Sequence, residues 1–185
     1  MILLINCGSQ KTPFISEIVD EFMDVETISL DDFNPTETIK KHKGIIISGA
    51  PLLITEVNIN PFIEKFNFIL HTDLPILGIC FGHQIIGLVH GAFGSRMKED
   101  RDWQTIEIFE DCPLFNKLPS EVNMMEDHCE SISIPPNFKL VGSSDLCVNE
   151  AMVHQTKQIF GVQFHPEVSG NHGRVIFENF THLCQ

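Results

Sequence analysis

Two glycines set symmetrically about one cysteine, in Gly78-Ile79-Cys80-Phe81-Gly82, constrain this chain more than any other feature. The run before the cysteine, Pro75-Ile76-Leu77-Gly78-Ile79, is short and apolar and reads as a buried strand. Phe81-Gly82-His83-Gln84-Ile85-Ile86 then begins a helical pattern. A strand that turns sharply into a helix leaves no room for Cβ atoms beside the turn residue, so both flanks call for glycine. The order is that of a nucleophile elbow with sulfur in place of hydroxyl. A cysteine at a helix N-terminus faces unpaired N–H groups and the positive end of the helix dipole, which favour the thiolate. A core cysteine after a strand is common by itself; the paired glycines give Cys80 a chemical reading.

A second segment supplies partners. Ile159 to Phe164 is another apolar, strand-like run, and it ends in His165-Pro166-Glu167. Residues two apart on an extended chain point to the same side. Pro166 biases His165 toward an extended backbone and fixes its own φ. The spacing therefore predicts His165 and Glu167 presented together at a strand's end, as a base and the carboxylate that orients it.

Taken together, GICFGHQ and GVQFHPEV resemble the class I glutamine amidotransferases, whose glutaminase domain uses a Cys-His-Glu triad. The resemblance covers nearly the whole chain. It implies Cys80 as nucleophile, His165 as general base and acid, and Glu167 as its orienter. The loop Ser48-Gly49-Ala50-Pro51 stands where the family usually has Ser-Gly-Gly-Pro, so the resemblance implies an oxyanion hole from amides near Gly49 and Ala50 and from Phe81. If that loop needs φ > 0 at residue 50, alanine is strained there; if φ is negative, its amide serves equally well. Gln84 matches a family position that contacts substrate; a polar helix residue facing solvent is the alternative. Asp127-His128-Cys129-Glu130-Ser131 stands where related synthetases carry Ser-His-Gly-Asp; only the histidine matches. His128, Cys129 and Glu130 are thus either contacts for the substrate's α-amino and α-carboxylate groups or parts of a polar surface loop. His83 reads as structural.

Three details resemble the glutaminase part of GMP synthase: Cys7-Gly8-Ser9-Gln10 after the first strand, Glu150-Ala151-Met152-Val153-His154, and Val168 after His-Pro-Glu. That resemblance implies L-glutamine as substrate and ammonia passed to a separate ATP-pyrophosphatase (synthetase) subunit, which would bind ATP, Mg and XMP in GMP biosynthesis. No P-loop-like signature occurs here, so no cofactor is expected on this chain. A stand-alone paralogue with another acceptor, a γ-glutamyl hydrolase and a catalytically impaired regulatory subunit stay open.

The 185 residues, 43% of them hydrophobic, suit a single domain spanning 1–185. A formal net charge of −13 argues against nucleic-acid or anionic-membrane binding. The cysteines at 7, 80, 112, 129, 147 and 184 show no C-x-x-C pair, which reads as free thiols in a reducing compartment. No histidine–cysteine spacing suggests a metal. The first ten residues lack the marks of a signal peptide, and no apolar stretch approaches the ~20 residues of a membrane span, so a cytoplasmic protein is expected.

Strands are predicted at 1–6, 25–30, 44–48, 75–79, 105–109, 122–126, 138–141, 150–154 and 159–164, and helices at 14–23, 36–42, 58–72, from 81, and 171–185. Phe93 to Gln104 reads as an exposed polar loop, with Trp103 as a packing anchor. Alternating strands and helices imply an α/β fold with a mostly parallel, doubly wound (flavodoxin-like) sheet flanked by helices and the site at the strands' carboxyl ends.

Overall fold

Four short apolar runs and one half-buried edge strand build the parallel part of the sheet in this molecule, described by a computed structural model over residues 1–185. They are β1 (Ile2–Asn6), β2 (Val25–Ser29), β3 (Gly44–Ile47), β4 (Ile76–Ile79) and β11 (Ile159–Val162). They pair in parallel in the order β2-β1-β3-β4-β11. Buried on both faces, β1, β3, β4 and β11 need no hydrophobic alternation, hence runs such as Ile45-Ile46-Ile47, whereas the edge strand β2 is only half-buried with Thr27 exposed. On β1, Ile2 and Leu4 face one core cluster and Leu3 and Ile5 the other. The first cluster is covered by α1 (Thr12–Asp20) and α5 (Gly170–Leu183), the second by α3 (Asn60–Phe66) and α4 (Phe81–Val89).

Beyond β11 the sheet continues through β10 (Ala151–His154), β9 (Phe138–Ser143), β6 (Trp103–Ile108) and β7 (Glu121–Met125), each ladder antiparallel. Seven of the nine strands consequently run one way, with β10 and β6 opposed. A short α2 (Pro35–Thr38) starts on Asn34, whose side chain accepts from Thr36 N. No helix is long and apolar enough to cross a membrane.

Three expectations need correction. The helix expected over 58–72 is α3 followed by a 3-10 turn at Asn67–Leu70. Phe66 and Phe68 both pack against Phe33, at 6.3 and 5.5 Å between ring centroids. A regular α-helix would set residues two apart about 200° apart round its axis, so the tighter winding helps bring both rings to one side. The expected loop over 93–104 contains β5 (Gly94–Asp100), which pairs with β8 (His128–Ile132) in a separate two-stranded sheet. Most of β5 is exposed, so no apolar pattern betrays it; its ladder with β8 makes it a strand. Trp103 is 50% exposed on β6 and is no packing anchor.

Candidate active site

The carboxyl ends of β1, β3, β4 and β11 meet at one edge, where the strand order reverses between β1 and β3. In doubly wound sheets that position leaves a crevice for ligands. Cys80 leaves β4 there with φ 52° and ψ −104° and caps the N-terminus of α4. A non-glycine residue so held costs about 1–3 kcal/mol. Its N–H donates to Val162 O at 2.9 Å, and its carbonyl accepts from Gln84 N at 3.0 Å, which fixes the turn. The flanking glycines are sterically obligatory. A Cβ on Gly82 would lie 2.2 Å from Ile47 O, and one on Gly78 2.4 Å from the Gly82 backbone.

β11 pairs with β4 so that Val162 stands opposite Ile79. This register delivers His165 to the same edge as Cys80. His165 N donates to Met125 O at 2.9 Å, and its carbonyl accepts from Ser169 Oγ at 2.6 Å. His165 Nδ1 meets Glu167 Oε1 at 2.8 Å, with both residues buried. The sequence suggests an extended segment for this pair; the structure instead forms it on a 3-10 turn, Pro166–Val168. Proline opens that turn, and α5 seals it: a Cβ on Gly173 would overlap Pro166 O. Burial opposes a charged His165 ring, but the Cys80 sulfur and the Glu167 carboxylate outweigh it and push its pKa up to about 10. A cationic imidazole between a sulfur and a carboxylate can hold and return a proton.

The loop after β3 lies opposite. Ser48 Oγ accepts from Cys7 N at 2.9 Å and donates to Gly49 O at 2.9 Å. Gly49 lies against the ring of His165 and Ser9. Neither Gly49 nor Ala50 has a positive φ, so alanine at 50 carries no backbone strain. Phe81 is the first residue of α4, where N–H groups lack helical acceptors. Gly49, Ala50 and Phe81 thus surround Cys80.

Cys80, Ala50, Pro51 and Asp127 separate two hollows. One, about 560 Å³, is also lined by Ser9, Lys11 and His165; the other, about 510 Å³, by Leu52, Gln84, Arg96 and Arg101. Either exceeds the ~300 Å³ lower bound of small-molecule sites. A larger hollow between α1 and β2, about 640 Å³, is lined by no cysteine or histidine.

Gln84 is buried, and its Nε2 donates to Gln163 Oε1 at 3.1 Å and to Glu130 O at 3.4 Å, so it does not face solvent. Residues 128–132 form a strand rather than a surface loop. Cys129 stands at the cleft, half-buried, with Arg96 Nη1 3.6 Å from its sulfur. The Glu130 carboxylate turns away toward the 54–55 backbone. It accepts from Ile54 N at 2.6 Å, Thr55 N at 3.0 Å and Thr55 Oγ1 at 2.5 Å. Its acceptors are spent on the loop that continues from Ser48-Gly49-Ala50. His128 points inward, Nδ1 donating to Glu130 O at 2.9 Å. His83 is fully buried, and burial pushes its pKa down to about 3, so its ring packs neutral against Gly161.

Sequence reading missed the charged rim: Lys11, Arg96, Glu99, Arg101 and Asp127. Lys11 Nζ lies 2.5 Å from Asp127 Oδ2, and Arg101 Nε 3.3 Å from Asp127 Oδ1. Burial works against the Asp127 charge, but Lys11, His165 and Arg101 hold its pKa below the ordinary value. The one available signal was Arg96 and Arg101 in a chain with 12 basic and 25 acidic residues.

The family model for glutamine amidotransferase class-I matches residues 3–183. The glutamine-hydrolysing subunit of GMP synthase from Pyrococcus furiosus is 37% identical over 189 residues, covering 100% of this chain and 98% of that protein. Its counterpart from Methanococcus maripaludis is 35% identical over 191 residues, covering 100% and 97%. A provisionally assigned GMP synthase subunit from Thermoplasma acidophilum superposes with a TM-score of 0.90 at 30% identity, covering 99% of this chain and 92% of the other. A glutamine amidotransferase from Thermotoga maritima, at 22% identity and TM-score 0.77 over 90% of this chain and 76% of that one, shares the fold.

Proposed function

The chain belongs to the class I glutamine amidotransferase family, and on that premise we propose that it releases ammonia from the side-chain amide of L-glutamine for a partner synthetase that makes GMP from XMP. The observation that carries this reading is the pairing of His165 with Glu167 at 2.8 Å, on the turn that follows β11, whose register on β4 brings it to the Cys80 elbow.

The chemistry follows from the placement of the groups. Sulfur of Cys80 attacks the amide carbon, and the carbonyl π electrons move to oxygen. Amides near Gly49 and Ala50 and the Phe81 N–H receive that oxyanion; a donor of this kind contributes about 3–4 kcal/mol in the transition state. His165, held by Glu167, protonates the departing nitrogen as the C–N bond breaks, so ammonia leaves and a γ-glutamyl thioester remains. His165 then takes a proton from water. The resulting hydroxide attacks the thioester carbon, the C–S bond breaks, and glutamate departs.

Partner and acceptor rest on the glutamine-hydrolysing GMP synthase relatives. ATP and Mg belong to the partner, and the cytoplasm suits the substrate. The first test is covalent labelling with a glutamine-analogue electrophile, together with glutamate release. Labelling confined to Cys80, and release abolished by Cys80→Ala and raised by an added ATP-pyrophosphatase, would support the proposal. Faster turnover of γ-glutamyl peptides than of free glutamine would favour a hydrolase instead, and no label on a folded protein would end the assignment.

A further inference from the structure

Behind the catalytic edge lies a pocket of ionisable groups that the proposed reaction does not use. Glu126 (1% exposed), His128 (7%), Cys147 (3%) and Glu150 (0%) converge there, with Asp100 (3%) beside them. They come from the end of β5, the β7–β8 connection with the start of β8, and the β9–β10 loop. A nitrogen of His128, the sulfur of Cys147 and a carboxylate oxygen of Glu150 all lie within 4.8 Å of one another.

The hydrogen bonding here is incomplete. Glu150 Oε1 accepts from Ser144 Oγ at 2.7 Å, and Asp100 Oδ1 from Gln104 Nε2 at 3.0 Å. Both oxygens of Glu126, Glu150 Oε2, Asp100 Oδ2 and His128 Nε2 have no hydrogen-bond partner. The only ion-pair partner of these carboxylates is His128, whose Nε2 lies 3.1 Å from Glu126 Oε2 but misaligned for a hydrogen bond. Ionised, such buried carboxylates without a cation cost several kcal/mol each, and burial accordingly pushes the pKa of both glutamates up to about 8, with Asp100 adding to the rise at Glu126 and Glu126 to that at Glu150.

The tautomer narrows the choice. His128 Nδ1 donates to the Glu130 carbonyl, so in the neutral ring Nε2 carries a bare lone pair, 3.1 Å from Glu126 Oε2. A lone pair and a carboxylate 3.1 Å apart repel unless a proton or a metal cation sits between them. Metal-bound histidines use this same outer arrangement, one nitrogen on a carbonyl and the other on the ion.

We propose that His128, Cys147 and Glu150, with Glu126 as fourth ligand, form a buried structural site for a divalent transition metal of the zinc class. One imidazole nitrogen, one thiolate and two carboxylates are a donor set that zinc accepts in a tetrahedral, closed site. Tetrahedral zinc sets its ligand atoms about 3.3–3.8 Å apart, so the present spacing closes by roughly 1 Å on binding. Binding displaces to solvent the Cys147 thiol proton and the protons that Glu126 and Glu150 hold near neutral pH, and leaves no redox change. The ion would tie the β9–β10 loop to the β7–β8 connection, next to Met125 at the end of β7, whose carbonyl receives the His165 N–H. Sequence spacing hides the site, because His128, Cys147 and Glu150 fit no finger-like pattern.

The test uses the full chain in a Cys80→Ala background, so that the Cys80–His165–Glu167 group cannot supply a competing site. After reconstitution with zinc and removal of excess, about one equivalent per chain is expected. X-ray absorption at the zinc edge should show a single sulfur ligand, and cobalt substitution should give a thiolate-to-cobalt charge-transfer band. Cys147→Ser and Glu150→Gln should each lower retention at least tenfold, while Cys129→Ser should leave it unchanged. If a site variant fails to fold by circular dichroism, the melting temperature of the Cys80→Ala chain with zinc against chelator decides, a rise being expected. Retention below a tenth of an equivalent with an unmoved melting temperature would overturn the proposal, as would metal retained with no sulfur ligand.

Discussion

Replacing Glu130 by glutamine separates a loop clamp from a substrate contact. The carboxylate accepts three hydrogen bonds, from Ile54 N, Thr55 N and Thr55 Oγ1, and is 2% exposed. A glutamine side chain offers one oxygen in the same space, so at least one donor would face an NH2 group. Loss of one charge-assisted bond, with its buried N–H left unpaired, costs about 3 kcal/mol. For a domain of this size that corresponds to a melting temperature lower by roughly 6–12 °C. The loop it anchors carries Leu52 and Leu53 into the Cys80 cleft, so the KM for glutamine should rise as well, with kcat less affected. Thermal melts and glutaminase kinetics on the same preparation provide the assay. An unchanged melting temperature with a raised KM would refute the reasoning, because it would mean that the carboxylate serves the substrate and not the loop.

Ala50→Gly should leave kcat/KM within about threefold and destabilise the chain by roughly 0.5–1 kcal/mol, since negative φ gives glycine no advantage and only adds unfolded-state entropy. A tenfold gain in rate would show that alanine distorts the oxyanion loop. Gly82→Ala drives a Cβ to 2.2 Å from Ile47 O, so it should cost about 3 kcal/mol or more and abolish labelling of Cys80. Glu167→Gln removes the charge that holds His165, and glutamate release should fall by at least about 100-fold with the fold intact. His165 has a folded pKa near 10 against an ordinary 6.5, so its ion pair contributes stability that is complete below about pH 6.5 and lost as pH rises through about 10. Urea unfolding should therefore show the gap between the native chain and Cys80→Ser narrowing across that interval.

Much of the site is local in origin and therefore legible in one dimension. Gly78, Cys80 and Gly82 are neighbours on one turn whose sterics permit only glycine beside the nucleophile. His165, Pro166 and Glu167 are adjacent, although the pair forms on a 3-10 turn and not on an extended strand. Runs such as Ile2–Asn6 and Gly44–Ile47 announce strands because both faces are buried. The exposed strand β5 announced nothing, for its existence depends on hydrogen bonds to β8, more than thirty residues on.

What the sequence determined alone, then, were the pieces whose geometry is set by nearest neighbours: the elbow, the His-Pro-Glu turn and the buried strands. Tertiary structure decided everything that depends on distance between remote residues. The register of β11 on β4 joins His165 to Cys80. The negative φ at Ala50 leaves the oxyanion loop unstrained, and the Glu130 carboxylate is committed to Ile54 and Thr55. Convergence of Glu126, His128, Cys147 and Glu150 belongs there too, because burial and contact across strands are properties of the packed chain that no short window of residues contains.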